Sequence, residues 1–356
     1  MELELSPDQE VFQDSTRRFL EAECPMTRVR ELAEHPDGFE RDWWQRGAAL
    51  GWTALLVPEE QGGGSISGRG LIDLTLVADQ FGRHVAPGPL VATNVVAAAL
   101  AQSGTPEQQV ELLPGIVAGE IVATWCDGCT VDRVGDGFVV RGAAAPVEAG
   151  AQADWLLVTG DDIQVLVPAT ASGVQATPLH SLDLVRRFAT VRFDDVEVPA
   201  SAAVARDSVE RQLDVALVIQ VAEMVGAADR VFAFTLEWAF DRYSFGRPLA
   251  SYQELKHRFA DMKMWLEACH ATAAAAANAV EDEAPDAAEL ASVAKAYVGD
   301  FGMELMQDCV QMHGGIGLTY DHDLHVFLRR ATQNRALFGS PAWHRQRLAG
   351  YLEEAV

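Results

Sequence analysis

Apolar positions in this 356-residue chain follow a helical spacing at both ends and a strand spacing in between. Ser6-Pro7-Asp8-Gln9 reads as a helix start, with Ser as N-cap, Pro at the first helical position and an acid in the first turn. Phe12, Thr16, Phe19 and Leu20 then mark one face. Further helices are predicted over about 42–50, ending at Gly51, over 71–82 and over 91–103, with the loop Gly62-Gly63-Gly64 among them. After Gly119 short β-type runs take over at 121–125, 138–140, 155–158, 163–167 and 190–193, separated by Gly, Asp and Pro. From about Ser208 the spacing is helical again. Leu255, Phe259, Met262, Leu266 and Cys269 recur at four, three, four and three, which suits a bundle helix. Leu290, Val293, Tyr297, Phe301 and Leu305 predict a buried stripe on a helix running to Val310, after an acidic loop over 281–285. The expected fold is α+β: an N-terminal α-helical domain (1–119), a barrel-like middle β-domain (120–205) and a C-terminal four-helix bundle (206–356).

Composition narrows the function. Hydrophobic content of 49% and charged content of 22% are those of a soluble globular protein. A net charge of −25 argues against nucleic acid and anionic membrane, which are bound by basic surfaces. Five cysteines in a chain this long do not make a disulfide framework. Cys126-Asp127-Gly128-Cys129 has redox or half-zinc spacing, but no second pair follows it. The start, Met1-Glu2-Leu3-Glu4-Leu5, is acidic and lacks a basic segment before an apolar core, so no signal peptide is expected. The Ala-rich runs are broken by charge well short of a membrane span, and a cytoplasmic location is expected.

Candidate chemistry gathers near the C-terminus. Gln311-Met312-His313-Gly314-Gly315-Ile316-Gly317 follows the stripe helix. Gly-Gly at a helix end permits a left-handed cap and leaves backbone amides uncovered, so an anion can approach closely. A plain C-cap with a solvated turn uses the same residues. Upstream stands Asp241-Arg242-Tyr243-Ser244-Phe245-Gly246-Arg247-Pro248, then Gln253, then Ala260-Asp261-Met262; downstream stand Asp323-Leu324-His325 and Arg329-Arg330-Ala331. Their order and spacing resemble the C-terminal helical domain of the acyl-CoA dehydrogenase flavoprotein family, with its Arg-x-x-Phe-Gly, Gln-x-x-Gly-Gly-x-Gly and Arg-Asp-Ala-like segments. Gly51-Trp52 through Pro58-Glu59-Glu60 is similar to the family's N-terminal domain, and Asp194 to Pro199 to its middle domain.

The resemblance implies FAD as cofactor and a Glu as the base that takes the α-proton of an acyl-CoA thioester, since such protons are weakly acidic and need a positioned carboxylate. Most members carry that Glu at the position of Phe338, before Gly339; a few carry it on the long helix before the Arg-x-x-Phe-Gly turn, at about Ala216. Neither side chain here accepts a proton. Glu223 is two helical turns past Ala216, a poor substitute on geometry and expected to be a solvated or paired residue. The flavin-ring loop departs too: Thr124 is followed by Trp125-Cys126-Asp127-Gly128-Cys129, and Gly142 by Ala143-Ala144-Ala145-Pro146-Val147, without the family's hydroxyl donors and Trp.

By contrast, the turns that in the family's dimers hold the adenine and pyrophosphate of a neighbour's FAD are kept. They carry Arg242, Ser244, Phe245 and Gln253, and Gln311, His313, Gly314 and Gly315. Arg242 suits a bidentate phosphate contact, though pairing with Asp241 or Asp261 is an alternative. The chain therefore resembles the non-catalytic subunit of an actinobacterial heterotetrameric acyl-CoA dehydrogenase, some of which oxidise steroid side-chain thioesters. That implies a homologous Glu-bearing partner, an acyl-CoA substrate and electron-transfer flavoprotein as acceptor. A self-sufficient homotetrameric dehydrogenase with a relocated base and a flavin-free scaffold or regulatory paralogue are the alternatives.

Overall fold

A computed structural model describes residues 5–206 and 209–354. The acidic start from Met1 to Glu4 and the predicted helix onset at Ser208 lie outside the described residues. Helix α1 (Pro7–Glu23) begins with the expected cap, here a full capping box. Ser6 Oγ accepts from the Gln9 amide at 3.2 Å, and Gln9 Oε1 accepts from the Ser6 amide at 3.0 Å. Phe12, Thr16 and Leu20 are buried. Helices α2 (Met26–Leu32), α3 (Arg41–Ala48), α4 (Gly70–His84), α5 (Leu90–Ser103) and α6 (Pro106–Val117) complete the N-terminal layer. Of these, α2 and α6 go beyond the helices predicted from spacing. In α6 the signal was present: Thr105, Pro106 and Gln108 form a second capping box. The layer is centred on Trp52, whose ring meets Phe81 edge-on at 4.9 Å and whose Nε1 donates to Thr16 Oγ1 at 3.2 Å.

The middle region holds β1 (Ala123–Cys126), β2 (Thr130–Val134), β3 (Gly137–Glu148), β4 (Trp155–Thr159), β5 (Gln164–Pro168), β6 (Val174–Leu179), β7 (Phe188–Val198) and β8 (Ala203–Val204). They form two four-stranded sheets, ordered β1-β4-β5-β8 and β2-β3-β7-β6, which close on one apolar core. Strands β2 and β6 have mostly exposed side chains and so lack the apolar alternation that marked the others. Cys126 and Cys129 are buried in this core. Burial raises both thiols, Cys129 to about 11, so neither is a thiolate near neutral pH. Among the described residues no group of His, Cys, Asp and Glu could hold a metal ion, and no helix is long and apolar enough to cross a membrane.

The C-terminal layer is built on α7 (Val209–Asp241), followed by a hairpin of β9 (Tyr243–Ser244) and β10 (Arg247–Pro248), then α8 (Gln253–Glu281), α9 (Ala287–Tyr297), α10 (Met303–His313), α11 (Leu324–Ala336) and α12 (Pro341–Glu354). Helices α4 and α7 cross at two glycines. A Cβ on Gly82 would lie 1.9 Å from the Glu223 carbonyl, and one on Gly226 would lie 2.1 Å from the Asp79 carbonyl. The predicted stripe needs correction. A π turn (Val298–Gly302) joins α9 to α10, and its extra residue shifts the register by about 100°. Ala291, Ala294, Lys295 and Val298 form the buried face, while Leu290, Val293, Tyr297 and Phe301 stay half-buried and Leu305 returns to the core.

Candidate functional site

The two kept turns lie side by side. Arg242 follows the last residue of α7, and Phe245 and Gly246 form the tip of the hairpin with φ of +50° and +82°. Phe245 is 98% exposed. Ser244 pairs with Arg247 across the hairpin, and its carbonyl accepts from the Tyr252 hydroxyl at 2.6 Å. The Arg247 guanidinium sits 3.8 Å from the centre of the Tyr252 ring. Gln253 opens α8, and its Nε2 is 2.9 Å from His257 Nε2. Gln311 is exposed on the last turn of α10, and Gly314 takes φ +65°. A Cβ on Gly314 or Gly315 would meet nothing within 4 Å, so the backbone there is open to an incoming group. His313 points inward and is 5% exposed. Its ring stacks on Trp238 at 5.3 Å and 19°, and the Arg242 guanidinium lies 5.9 Å from the Trp238 ring centre. Trp238, four residues before Arg242 on the same helix face, escaped the motif reading. Arg242 is exposed and makes no side-chain hydrogen bond or ion pair among the described residues, so the pairing with Asp241 or Asp261 does not form.

At the other end of the expected site two half-buried aromatic side chains meet. Ala216 is fully buried on α7. Phe338 takes φ +57°, and its ring packs against Trp125 with centroids 5.8 Å apart. The Phe338 carbonyl accepts from His344 Nε2 at 3.0 Å, and burial brings that imidazole down to about 4, so it is neutral. The Thr124 hydroxyl donates to the Glu148 carbonyl at 2.7 Å. The two positions where the resemblance looks for base and ring contacts are thus occupied by two aromatic rings in mutual contact.

Glu223 belongs to a buried charge cluster that ties the three layers together. Arg186 Nη2 donates to both of its oxygens at 2.7 and 2.8 Å, Arg330 Nη1 to one at 2.7 Å, and Asn334 Nδ2 to the other at 3.1 Å. Arg330 also pairs with Asp183 and donates to the Ala86 carbonyl, while Arg186 Nε lies 3.0 Å from Glu148 Oε1. The Lys295 ammonium position contacts Gln220 Oε1 and the Asn334 carbonyl. Burial alone would raise the Glu223 carboxyl, but Arg186 and Arg330 outweigh it and hold it below the usual range. A carboxylate with that many donors is paired, as one of the two expectations had it, and is no free base.

Family models for the N-terminal and C-terminal domains of acyl-CoA dehydrogenases match residues 6–120 and 207–352. The acyl-CoA dehydrogenase IpdE2 of Mycobacterium tuberculosis is 30% identical over 88% of this chain and 87% of its own. The IpdE2 of Mycolicibacterium smegmatis is 28% identical over 97% and 98%. Among solved structures, the Tcur3481-Tcur3483 steroid acyl-CoA dehydrogenase superposes with a TM-score of 0.89 at 30% identity, covering 98% of both chains. The ChsE4-ChsE5 complex of Mycobacterium tuberculosis does so with a TM-score of 0.91 at 25% identity, covering 99% of both. The fold, the paired motif turns and these relatives agree: the chain is a member of the acyl-CoA dehydrogenase family.

Proposed function

We propose that this chain is the partner subunit of a heteromeric FAD-dependent acyl-CoA dehydrogenase. It presents the adenine and pyrophosphate side of the cofactor site, while a homologous subunit supplies the catalytic Glu and the flavin-ring pocket. Homologues in the family bind FAD, which when bound supplies the hydride acceptor for α,β-dehydrogenation of an acyl thioester. The residues present here fit one end of that dinucleotide and not the other. The carrying observation is this asymmetry: Arg242 is exposed and, among the described residues, unpaired beside the open Gly314-Gly315 backbone, whereas the half-buried Trp125 and Phe338 pack against each other at the other end.

In this reading Arg242 makes a forked contact to the pyrophosphate, Ser244, Gln253 and Gln311 add polar groups, and Phe245 covers apolar surface on the partner. Relatives described as the Tcur3481-Tcur3483 steroid enzyme and as a ChsE4-ChsE5 complex support a heteromer and a steroid-derived acyl thioester as substrate. The FadE34 relative is 31% identical over 84% of this chain but only 40% of its own length, which leaves room there for a second unit of this size. Electron-transfer flavoprotein is the acceptor the family reading implies.

Co-expression with a homologous Glu-bearing flavoprotein tests the proposal. One flavin per pair is expected, with Arg242→Ala stripping flavin although the base lies in the other chain. Losing one charged phosphate contact costs about 1.5–3 kcal/mol, or roughly ten- to hundredfold in retention. Unchanged flavin occupancy and turnover in an assembled Arg242→Ala complex would refute it.

A further inference from the structure

The exposed Arg242 guanidinium stands on an aromatic column. Trp238 lies beneath it at 5.9 Å, and His313 stacks beneath Trp238 at 5.3 Å and 19°. The column is fixed from below: His313 Nδ1 lies 2.8 Å from the Cys309 carbonyl, so Nδ1 carries the proton and donates. His322, 4.5 Å away, and Phe234, edge-on at 5.7 Å, close its sides. One ring belongs to the end of α7 and the other to the end of α10, so the column joins the two turns that carry the candidate cofactor contacts.

The column is costly. Trp238 Nε1 and His313 Nε2 are both buried without a hydrogen-bond partner among the described residues, and stacked rings cannot bond to each other edge to edge. Two apolar side chains would fill the same space without that penalty, which points to a role other than packing. A neutral indole face under a guanidinium attracts it and restricts its rotamers without using any of its N–H groups. All five donors of Arg242 then remain available to an anion, whereas a carboxylate partner would occupy two of them.

We infer that Trp238, held by His313, is a positioning residue that aims Arg242 at the pyrophosphate of an adenine dinucleotide bound in a neighbouring subunit. The inference rests on the partner-subunit reading, and its test separates the two. In the complex assembled with a homologous flavoprotein, flavin retained through gel filtration is read at 450 nm for four forms: wild type, Trp238→Leu, Arg242→Ala and the double variant. Trp238→Leu is expected to weaken retention about two- to fivefold, the range for an exposed cation–aromatic contact, and Trp238→Tyr to restore most of it. The double variant should be no worse than Arg242→Ala alone, because Trp238 acts only through Arg242.

Full additivity of the two losses, or unchanged retention in Trp238→Leu while Arg242→Ala loses flavin, overturns the positioning role alone. Unchanged retention in Arg242→Ala overturns the partner-subunit reading itself. A second measurement does not depend on how Trp238→Leu folds. Uniform fluorotryptophan labelling drains the indole face without altering its shape, and should weaken retention in the Arg242 complex but not in the Arg242→Ala complex. Equal loss in both would again overturn the positioning role.

Discussion

Replacing Glu223 distinguishes a structural carboxylate from a relocated base. It accepts four hydrogen bonds from three side chains, two from Arg186 and one each from Arg330 and Asn334, at 1% exposure. Glu223→Ala removes all four and leaves Arg186 with Glu148 and Arg330 with Asp183 as their remaining anions. Breaking one member out of a buried ion network costs about 3–5 kcal/mol. For 356 residues the entropy of unfolding is about 0.75 kcal/mol/K, so Tm should fall by roughly 4–7 °C. Differential scanning calorimetry of the assembled complex measures this, alongside turnover per bound flavin at a temperature where the variant is folded. Turnover per flavin should be unchanged. A Tm within about 1 °C of wild type together with a turnover loss of a hundredfold or more would refute the reasoning and make Glu223 the base.

Lys295, fully buried, is brought down to about 7 by desolvation, with Arg335 adding to the effect. Its folded pKa lies below its unfolded one, so between pH 7 and 8.5 the unfolded chain holds the proton that the folded chain has released, and stability should rise with pH. Lys295→Met should flatten that rise, as urea unfolding at several pH values will show; an equal slope in both proteins counts against it. The chain purified alone should oxidise no acyl-CoA with an artificial electron acceptor, and Phe338→Glu should not restore activity, because Trp125 still fills the space opposite. Steady turnover from either preparation, free of other chains, would disprove this. The half-buried stripe of Leu290, Val293, Tyr297 and Phe301 should make the lone chain aggregate and the co-expressed pair form a heterotetramer, whereas a stable monodisperse monomer in light scattering argues the opposite.

Much of this was legible in the residues themselves. Caps and spacing placed the long helices because those signals are local: Ser6, Pro7 and Gln9 act within one turn, and the bundle helix from Phe259 to Cys269 repeats every three or four residues. The motif turns were legible as short runs of residues close in sequence. Strands β2 and β6 were not, since their mostly exposed side chains carry no alternation and their place is set by pairing with β3 and β7. That Leu305 is buried while Leu290, Val293 and Tyr297 stay half-buried goes with the π turn lying between them, which the three- and four-residue spacing does not signal. Partnerships across long separations were decided only by tertiary packing. Arg186 reaches Glu223 and Arg330 reaches Asp183 because Gly82 and Gly226 let α4 and α7 close on each other and bring the layers together around buried charge. Trp238 likewise meets His313 only because two helices 75 residues apart in the chain end at the same place, and nothing in the spacing of either motif announces that meeting.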